Sequence, residues 1–430
     1  MTHIREMIKK EHPVRVIQFG GGVFMRGFFD WMIQKANDAG VYDGSVTVVR
    51  SKTRGTDPLA AQNYNYTQVL RDGAHCDITA VTAIAGSVAA EEQYEEFLRL
   101  AELPNVEVVV SNTTEAGIRY EKCDKPTDTC PQSYPAKLTA LLYRRYQTGG
   151  SGMLILPLEL IENNGDTLRE YVLRHAADWG LEEAFVSWIK TACSFRNTLV
   201  DRIVSGLVPK GEIELPYEDD MVNTGEYFHL LVIEGEEDPR LPLLAAGINV
   251  KWVPSVAPYR TIKVRILNGA HTSMIPYARL LGIETVRECL ENDTVFAHLR
   301  KCLEEIIASL SVDEAEARAY ATEVLSRFSN PFICHRTAAI ALHSADKFVV
   351  RVLPSITEYR QKYGKTPVQL VFSLAMLVYY LKLEGDGDTL SADALKDRSF
   401  ADILGDAAIF GGVSLAEFAE EAACYADPRG

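Results

Sequence analysis

The stretch Lys263-Val-Arg-Ile-Leu-Asn268-Gly269-Ala-His271 holds the residue types best suited to proton transfer in the chain. In a helix turning by about 100° per residue, Lys263, Asn268 and His271 fall within an arc of roughly 140° and can face one cleft. A lysine desolvated there loses proton affinity and can exchange a proton near neutrality. An asparagine N–H can hold a developing alkoxide, and a histidine can orient either group. The set suits reduction of a carbonyl, or its reverse. The bland alternative is a solvated helix face. Gly269 tilts the balance, because a helical glycine costs ~1 kcal/mol against alanine and is kept where something approaches closely, which here hints at a ligand.

Such a site needs a reductant and elements that hold it. Val14 to Phe19 is a β-rich run ending in Gly20-Gly21-Gly22, and a helix-like stretch from Phe24 to Asn37 follows. Strand, glycine turn, helix is the order that lets a backbone approach a pyrophosphate at a helix amino end. Against G-x-G-x-x-G/A, Met25 stands where the third small residue belongs, so the match is incomplete and an ordinary strand-to-helix turn is the alternative. A second strand, Ser45 to Val49, runs into Arg50, Lys52 and Arg54. The nearest acid, Asp57, comes late for a carboxylate that would bond ribose hydroxyls. The arginines suit a 2′-phosphate or stacking on adenine, so the coenzyme stays open between NAD and NADP.

Asp77 to Ile84 and Val106 to Val110 read as further strands, with an acidic amphipathic helix from Glu91 to Ala101 between them. The turn after Val110 carries Asn112, Thr113 and Glu115 and closes at Gly117. Ligands of open α/β sheets lie at strand carboxyl ends, so a nicotinamide or its ribose is expected at this turn. Gly152 to Pro157 reads as a later strand and Tyr227 to Ile233 as an added one. Pro254 and Pro258 then punctuate the chain, placing a boundary near residue 253. Beyond it the apolar spacing turns helical over 280–290, 295–310, 314–328 and 368–383.

A chain of 430 residues predicts two domains, and 47% hydrophobic with 24% charged residues is globular composition. The net charge of -15 argues against nucleic acid or an anionic membrane as partner, and an anionic substrate would need a local basic pocket. No apolar run is long enough to span a bilayer, and Met1-Thr-His-Ile-Arg-Glu lacks a signal-peptide core, so a cytoplasmic protein is expected. Eight cysteines without a C-x-x-C pair and nine histidines without H-E-x-x-H suggest no metal.

The stretch from Tyr259 through Lys263, Asn268 and His271 resembles the signature of the polyol-specific long-chain dehydrogenases, the mannitol dehydrogenase family. Gly20-Gly-Gly-Val-Phe-Met-Arg-Gly-Phe28 is similar to that family's G-x-G-x-F-x-R-G/A-F segment. The resemblance implies that Phe24 and Met25 wall the coenzyme and that Arg26 reaches phosphate or substrate, although Arg26 also fits a solvated helix charge. It further covers Ser111 to Ile118, Ser133 to Thr139, Asn197 to Ile203, Arg327-Phe-Ser-Asn-Pro331 and Lys347-Phe-x-x-Arg351-x-Leu-Pro354. The Asp201-Arg202 pair reads as packing rather than chemistry.

Two positions depart from the mannitol enzymes. Leu160 stands where they carry an oxyanion-site asparagine, so either Asn268 acts alone or Asn163 substitutes. Cys334 stands where they carry a polyol-binding arginine, which leaves His335 or Arg336. The departure at Leu160 favours the hexuronate branch of the family. The resemblance thus implies a Rossmann-like α/β nucleotide-binding domain over 1–253, then a mainly α-helical substrate domain over 254–430 closing over it. It implies NAD-dependent interconversion of D-tagaturonate and D-altronate, with Lys263 as acid–base group, Asn268 and His271 beside it, and Arg26, Asn163, Tyr259 and His335 toward substrate. Fructuronate reductase or a mannitol-type dehydrogenase is the near alternative, and a non-catalytic nucleotide-binding regulator the remote one. Oligomeric state is not legible.

Overall fold

The computed structural model describes every residue except 1, 8–10, 51–56, 114–116, 123–128, 210, 388 and 430. It divides into two compact units, Met1–Val256 and Ala257–Gly430.

The first unit is built on a six-stranded sheet in the spatial order Ile84–Ala89, Ser45–Arg50, Val14–Phe19, Val108–Ser111, Leu154–Pro157, Ser194–Phe195. Every pairing in it is parallel. Numbered along the chain the order is 3-2-1-4-5-6, that of a doubly-wound dinucleotide-binding sheet. The near-continuous Val/Ile/Leu runs follow from burial on both faces. Val16, Val46, Val48, Val108 and Val110 pack on one side with Phe28, Phe29 and Met32 of the helical stretch 23–38. Ile17, Phe19, Val49, Val109 and Ile155 pack on the other, with Leu138 and Leu141 of helix Tyr134–Gln147 and Leu168 of helix Asn164–Asp178.

The run 77–84 is not one strand. It splits at Thr82-Ala83: Cys76–Val81 pairs antiparallel with Tyr66–Arg71 in a second, four-stranded sheet, while Ile84–Ala89 joins the edge of the parallel sheet. Period-2 alternation cannot register a change of sheet, because the side-chain pattern runs on through the bend. A third sheet pairs Leu230–Glu234 with Thr198–Asp201 and Val250–Val253.

The second unit is helical. Gly269–Leu280 lies at its centre, packed against Asp293–Ser309 and Val368–Glu384 through Met274, Ala278, Leu299, Ile306, Leu374 and Leu377, all fully buried. The expected helix over 280–290 is broken: one helix ends at Leu280, Gly282 takes φ +74°, and Val286–Glu291 starts anew behind a capping box from Thr285 to Glu288. Apolar spacing bridged the gap in the sequence because Leu281 and Ile283 hold the period across it. No described helix is long and apolar enough to cross a membrane.

Candidate active site

In the first unit the glycine turn sits at the carboxyl ends of the central strands. Gly20 has φ +96°, and a Cβ there would stand 2.6 Å from the Asn112 carbonyl oxygen, so only glycine lets these two strand ends close together. Gly22 caps the following helix, and a Cβ on it would meet none of the described residues within 4 Å. That open space before a helix amino end is what a pyrophosphate requires. A cavity of about 260 Å³ adjoins the turn, lined by Phe19, Gly20, Val49, Arg50, Arg119 and Lys137 among others. Arg119 and Lys137 were not singled out in the sequence, since each lies far along the chain from the glycines. Lys137 donates to Glu91 at 3.2 Å and to the Gln132 carbonyl at 2.9 Å. Arg50 Nε lies 3.8 Å from Asp57, whose carboxylate also accepts from Ser87 Oγ at 2.7 Å. Lys52 and Arg54 lie outside the described residues.

Two expected coenzyme contacts change character. Met25 is fully buried in the core cluster beneath the sheet, because its position on the helix faces inward, and it cannot wall a ligand. Phe24 is half-buried and stacks on Phe28, with centroids 5.0 Å apart. Arg26 is not a solvated charge: it is 6% exposed, its guanidinium stands 6.0 Å over the Tyr66 ring, and its Nε and Nη1 find no hydrogen-bond partner among the described residues. Burial lowers its proton affinity and raises that of the neighbouring Asp30, fully buried, to about 7. Arg26–Asp30 is a π turn, in which i→i+5 bonding adds a residue to the turn. Arg202 donates to the Gly27 carbonyl in this turn at 2.7 Å and to the Phe228 carbonyl at 3.0 Å, a packing role.

At the Ser111–Thr113 turn a buried acid organises the backbone. Glu159 accepts from Ser111 Oγ (3.0 Å), Thr113 N (2.9 Å) and Thr113 Oγ1 (2.8 Å), while desolvation still holds its pKa above the usual carboxylate range. Asn112 donates its amide to the Leu158 carbonyl at 3.0 Å. The donors of Asn112 and Thr113 thus shape the turn itself. Glu115 lies outside the described residues. A charge inside the apolar run Leu156 to Ile161 was the signal for Glu159. Asn163 is exposed with φ 49°, a left-handed conformation that asparagine tolerates well, which accounts for the residue locally.

In the second unit the helix from Ala257 to Leu280 carries the candidate proton-transfer residues, and Lys263–Asn268 within it is a π turn. Gly269 N reaches back five residues to the Val264 carbonyl. The 140° arc assumed a regular α-helix. With i→i+5 bonding, residues five apart stand about one turn apart, so Lys263 and Asn268 come onto nearly the same side. Tyr259 lies four residues before Lys263, one α-turn away. Lys263 is buried, 9% exposed, and Asn268 is half-buried with a side-chain amide that bonds no other described residue.

Gly269 has another explanation than a ligand. A Cβ there would stand 3.3 Å from the Arg351 carbonyl oxygen and 3.6 Å from Ile306, so the glycine admits the end of helix Ser344–Arg351. His271 is buried, 5% exposed, stacked on Phe328 at 4.1 Å and edge-on to His335 at 5.2 Å, and its Nε2 has no partner among the described residues. Burial, then repulsion from His335, Arg351, Arg327 and Lys347, pushes its pKa well below the ordinary value, so the ring is neutral at physiological pH. Of the two candidates after Cys334, His335 packs on this ring, while Arg336 is exposed and pairs with Glu284 at 3.5 Å. Among the described residues, no group of three or more His, Cys, Asp or Glu is arranged to hold a metal ion.

Comparison with known proteins matches both units. Residues 14–243 fit the family model of the mannitol dehydrogenase Rossmann domain, and residues 255–427 that of the mannitol dehydrogenase C-terminal domain. The altronate oxidoreductase of Yersinia enterocolitica is 39% identical over 403 residues, spanning 90% of this chain and 83% of that protein. That of Bacillus subtilis is 39% identical over 410 residues, spanning 91% and 84%. A solved D-sorbitol dehydrogenase in substrate-free form superposes with a TM-score of 0.79 at 21% identity, covering 96% of this chain and 92% of that one. Pseudomonas fluorescens mannitol 2-dehydrogenase, in ternary complex with NAD and D-mannitol, gives 0.76 at 20% identity, covering 96% and 90%.

Proposed function

As the chain belongs to the mannitol dehydrogenase family, we propose that it catalyses the NAD-dependent interconversion of D-altronate and D-tagaturonate in the cytoplasm. The observation that carries this reading is the near-40% identity, across nine-tenths of the chain, to proteins named altronate oxidoreductase.

The first unit fits a dinucleotide. Gly20 and the open helix end at Gly22 would take the pyrophosphate, Arg50 the adenosine end, and the turn shaped by Glu159 the nicotinamide side. A nicotinamide coenzyme held there would supply the hydride that the carbonyl carbon of the ketohexuronate accepts. The residues of the second unit manage the proton and the charge. Lys263, as the ammonium, donates a proton to the carbonyl oxygen as that oxygen gains electron density, and in the oxidation direction the neutral amine takes it back. The unengaged amide of Asn268, on the same side of the π turn, donates a hydrogen bond to the same oxygen. His271 stays neutral and holds a neighbouring hydroxyl, with Tyr259 and His335 flanking. Initial rates with tagaturonate, fructuronate and fructose, each with NADH and NADPH, test the reading. Tagaturonate with NADH is expected to give the highest kcat/KM, and a clear preference for fructuronate or fructose overturns it.

A further inference from the structure

A histidine that handles a substrate is ordinarily aimed by a hydrogen bond from its other ring nitrogen to a carboxylate or a backbone carbonyl. His271 lacks that device. Its Nε2 is buried without a partner, and no hydrogen bond among the described residues holds either ring nitrogen. Rings hold it instead. Phe328 lies against one face, with centroids 4.1 Å apart and planes 16° from parallel, and His335 meets the imidazole at 5.2 Å with planes 89° apart. The outer torsion of a histidine is broad and roughly two-fold, so packed walls are what give this ring one orientation.

Both walls come from one corner of the second unit. Phe328 is the last residue of helix Glu314–Phe328, lies buried in the core of that unit, and belongs to a helix that packs on the π turn Lys263–Asn268. His335 follows in the chain and is pinned by backbone: its carbonyl accepts from Val286 N at 3.0 Å, and Thr337 donates from N to the Glu284 carbonyl at 2.9 Å and from Oγ1 to the Ile283 carbonyl at 2.8 Å. Residues 283–286 belong to the turn after the helix that carries His271, so the corner is tied to that helix. Where a buried phenylalanine only fills space, another apolar side chain of similar volume serves nearly as well. Against an imidazole with no hydrogen bond, the plane of the ring matters too. Resting on the role given to His271 above, we propose that Phe328 is its positioning residue: the phenyl ring holds the imidazole in the orientation that meets a substrate hydroxyl.

The test is a double-mutant cycle on NADH-dependent ketohexuronate reduction, with wild type, Phe328→Leu, His271→Ala and the pair. Leucine keeps an apolar side chain and loses the plane. Displacing a contacting group by about 1 Å can cost ~100-fold, so kcat/KM for the sugar acid is expected to fall about 10–100-fold in Phe328→Leu, with the KM for NADH within about twofold. In the His271→Ala background the same substitution should cost less than about threefold, because no imidazole is left to orient. Phe328→Tyr keeps the ring and should recover most of the loss.

A Phe328→Leu enzyme within about threefold of wild type overturns the proposal. So does a loss of equal size in both backgrounds, which is what packing alone would give, and so does a KM for NADH that rises as much as that for the sugar acid. If the leucine variant does not fold, Phe328→Met takes its place in the cycle under the same criteria. Should the wild type reduce fructuronate or fructose rather than tagaturonate, the substrate assignment falls, and the cycle run on that sugar judges Phe328 by the same outcomes.

Discussion

Lys263 opens and Asn268 closes a single π turn, so the proposed proton donor and the proposed oxyanion donor stand about one turn apart on one side of a helix. In a regular α-helix the same five-residue step would leave them about 140° apart. The extra residue in the turn converts a loose pair into a convergent one. The helix of the first unit that follows the glycine turn carries a second such turn at Arg26–Asp30.

The two glycines of the nucleotide turn are expected to fail differently. Gly20→Ala forces a Cβ to 2.6 Å from a backbone oxygen in a left-handed conformation, so it should destabilise the first unit by about 1–3 kcal/mol and lower the melting temperature. Gly22→Ala meets none of the described residues within 4 Å, so it should fold normally and lose NADH affinity by occupying the ligand's space. Melting curves and NADH fluorescence titrations of the two variants separate these effects. A Gly22→Ala protein that binds NADH as wild type does would remove the pyrophosphate from this turn.

Asp30 yields a pH prediction with a definite sign. Burial raises its folded pKa to about 7, above the ~3.8 of the unfolded chain, so the folded state holds the proton more tightly. Its stabilising contribution is full below about pH 4 and is lost as pH rises toward and through 7. Asp30→Asn removes the titration, so the melting temperature of the variant relative to wild type should climb between pH 5 and pH 8. A difference that stays flat over that range would mean that Arg26 keeps Asp30 ionised throughout.

Much of this was legible in the sequence. The strand–glycine–helix start and the order of an α/β domain followed by a helical one stand in runs whose pattern is local, and Lys263, Asn268 and His271 were legible as residue types on one helix, their chemistry belonging to the proposal. What stayed hidden depends on tertiary partners. The inward face of Met25 is set by the sheet above it, the helix packed against Gly269 arrives eighty residues later, and Glu159 matters because of Ser111 and Thr113. The π turns were hidden for another reason: hydrophobic spacing near 3.6 tolerates one added residue without losing its apolar face.

Coenzyme choice turns on the Arg50–Asp57 approach of 3.8 Å. With Asp57 beside it, Arg50 is partly neutralised, so NADH should be preferred and NADPH used measurably. Arg50→Ala is expected to weaken NADPH more than NADH, and Asp57→Ala to shift the preference toward NADPH by freeing the guanidinium. The kcat/KM ratio for the two coenzymes measures both. Should Arg50→Ala hurt NADH more, the arginine stacks on adenine rather than meeting a phosphate.

Lys263→Ala is the decisive substitution. Removing a positioned general acid–base group costs typically 10²–10⁴-fold in rate, roughly 3–5 kcal/mol in the barrier, so kcat should collapse while NADH affinity holds. In the oxidation direction the wild-type rate should fall at low pH as Lys263 takes up a proton, and the variant should lose that limb while added primary amines restore part of the rate. His271 cannot produce the limb near neutrality, because burial and the surrounding positive groups keep its pKa well below the ordinary imidazole value. Asn268→Ala should lower the rate and leave the limb in place, since an amide stabilises charge without titrating. A Lys263→Ala enzyme that keeps more than about a tenth of wild-type kcat with the acid limb intact would move the proton transfer to another group. With His271 neutral and buried, that group would have to come from outside the 263–271 turn.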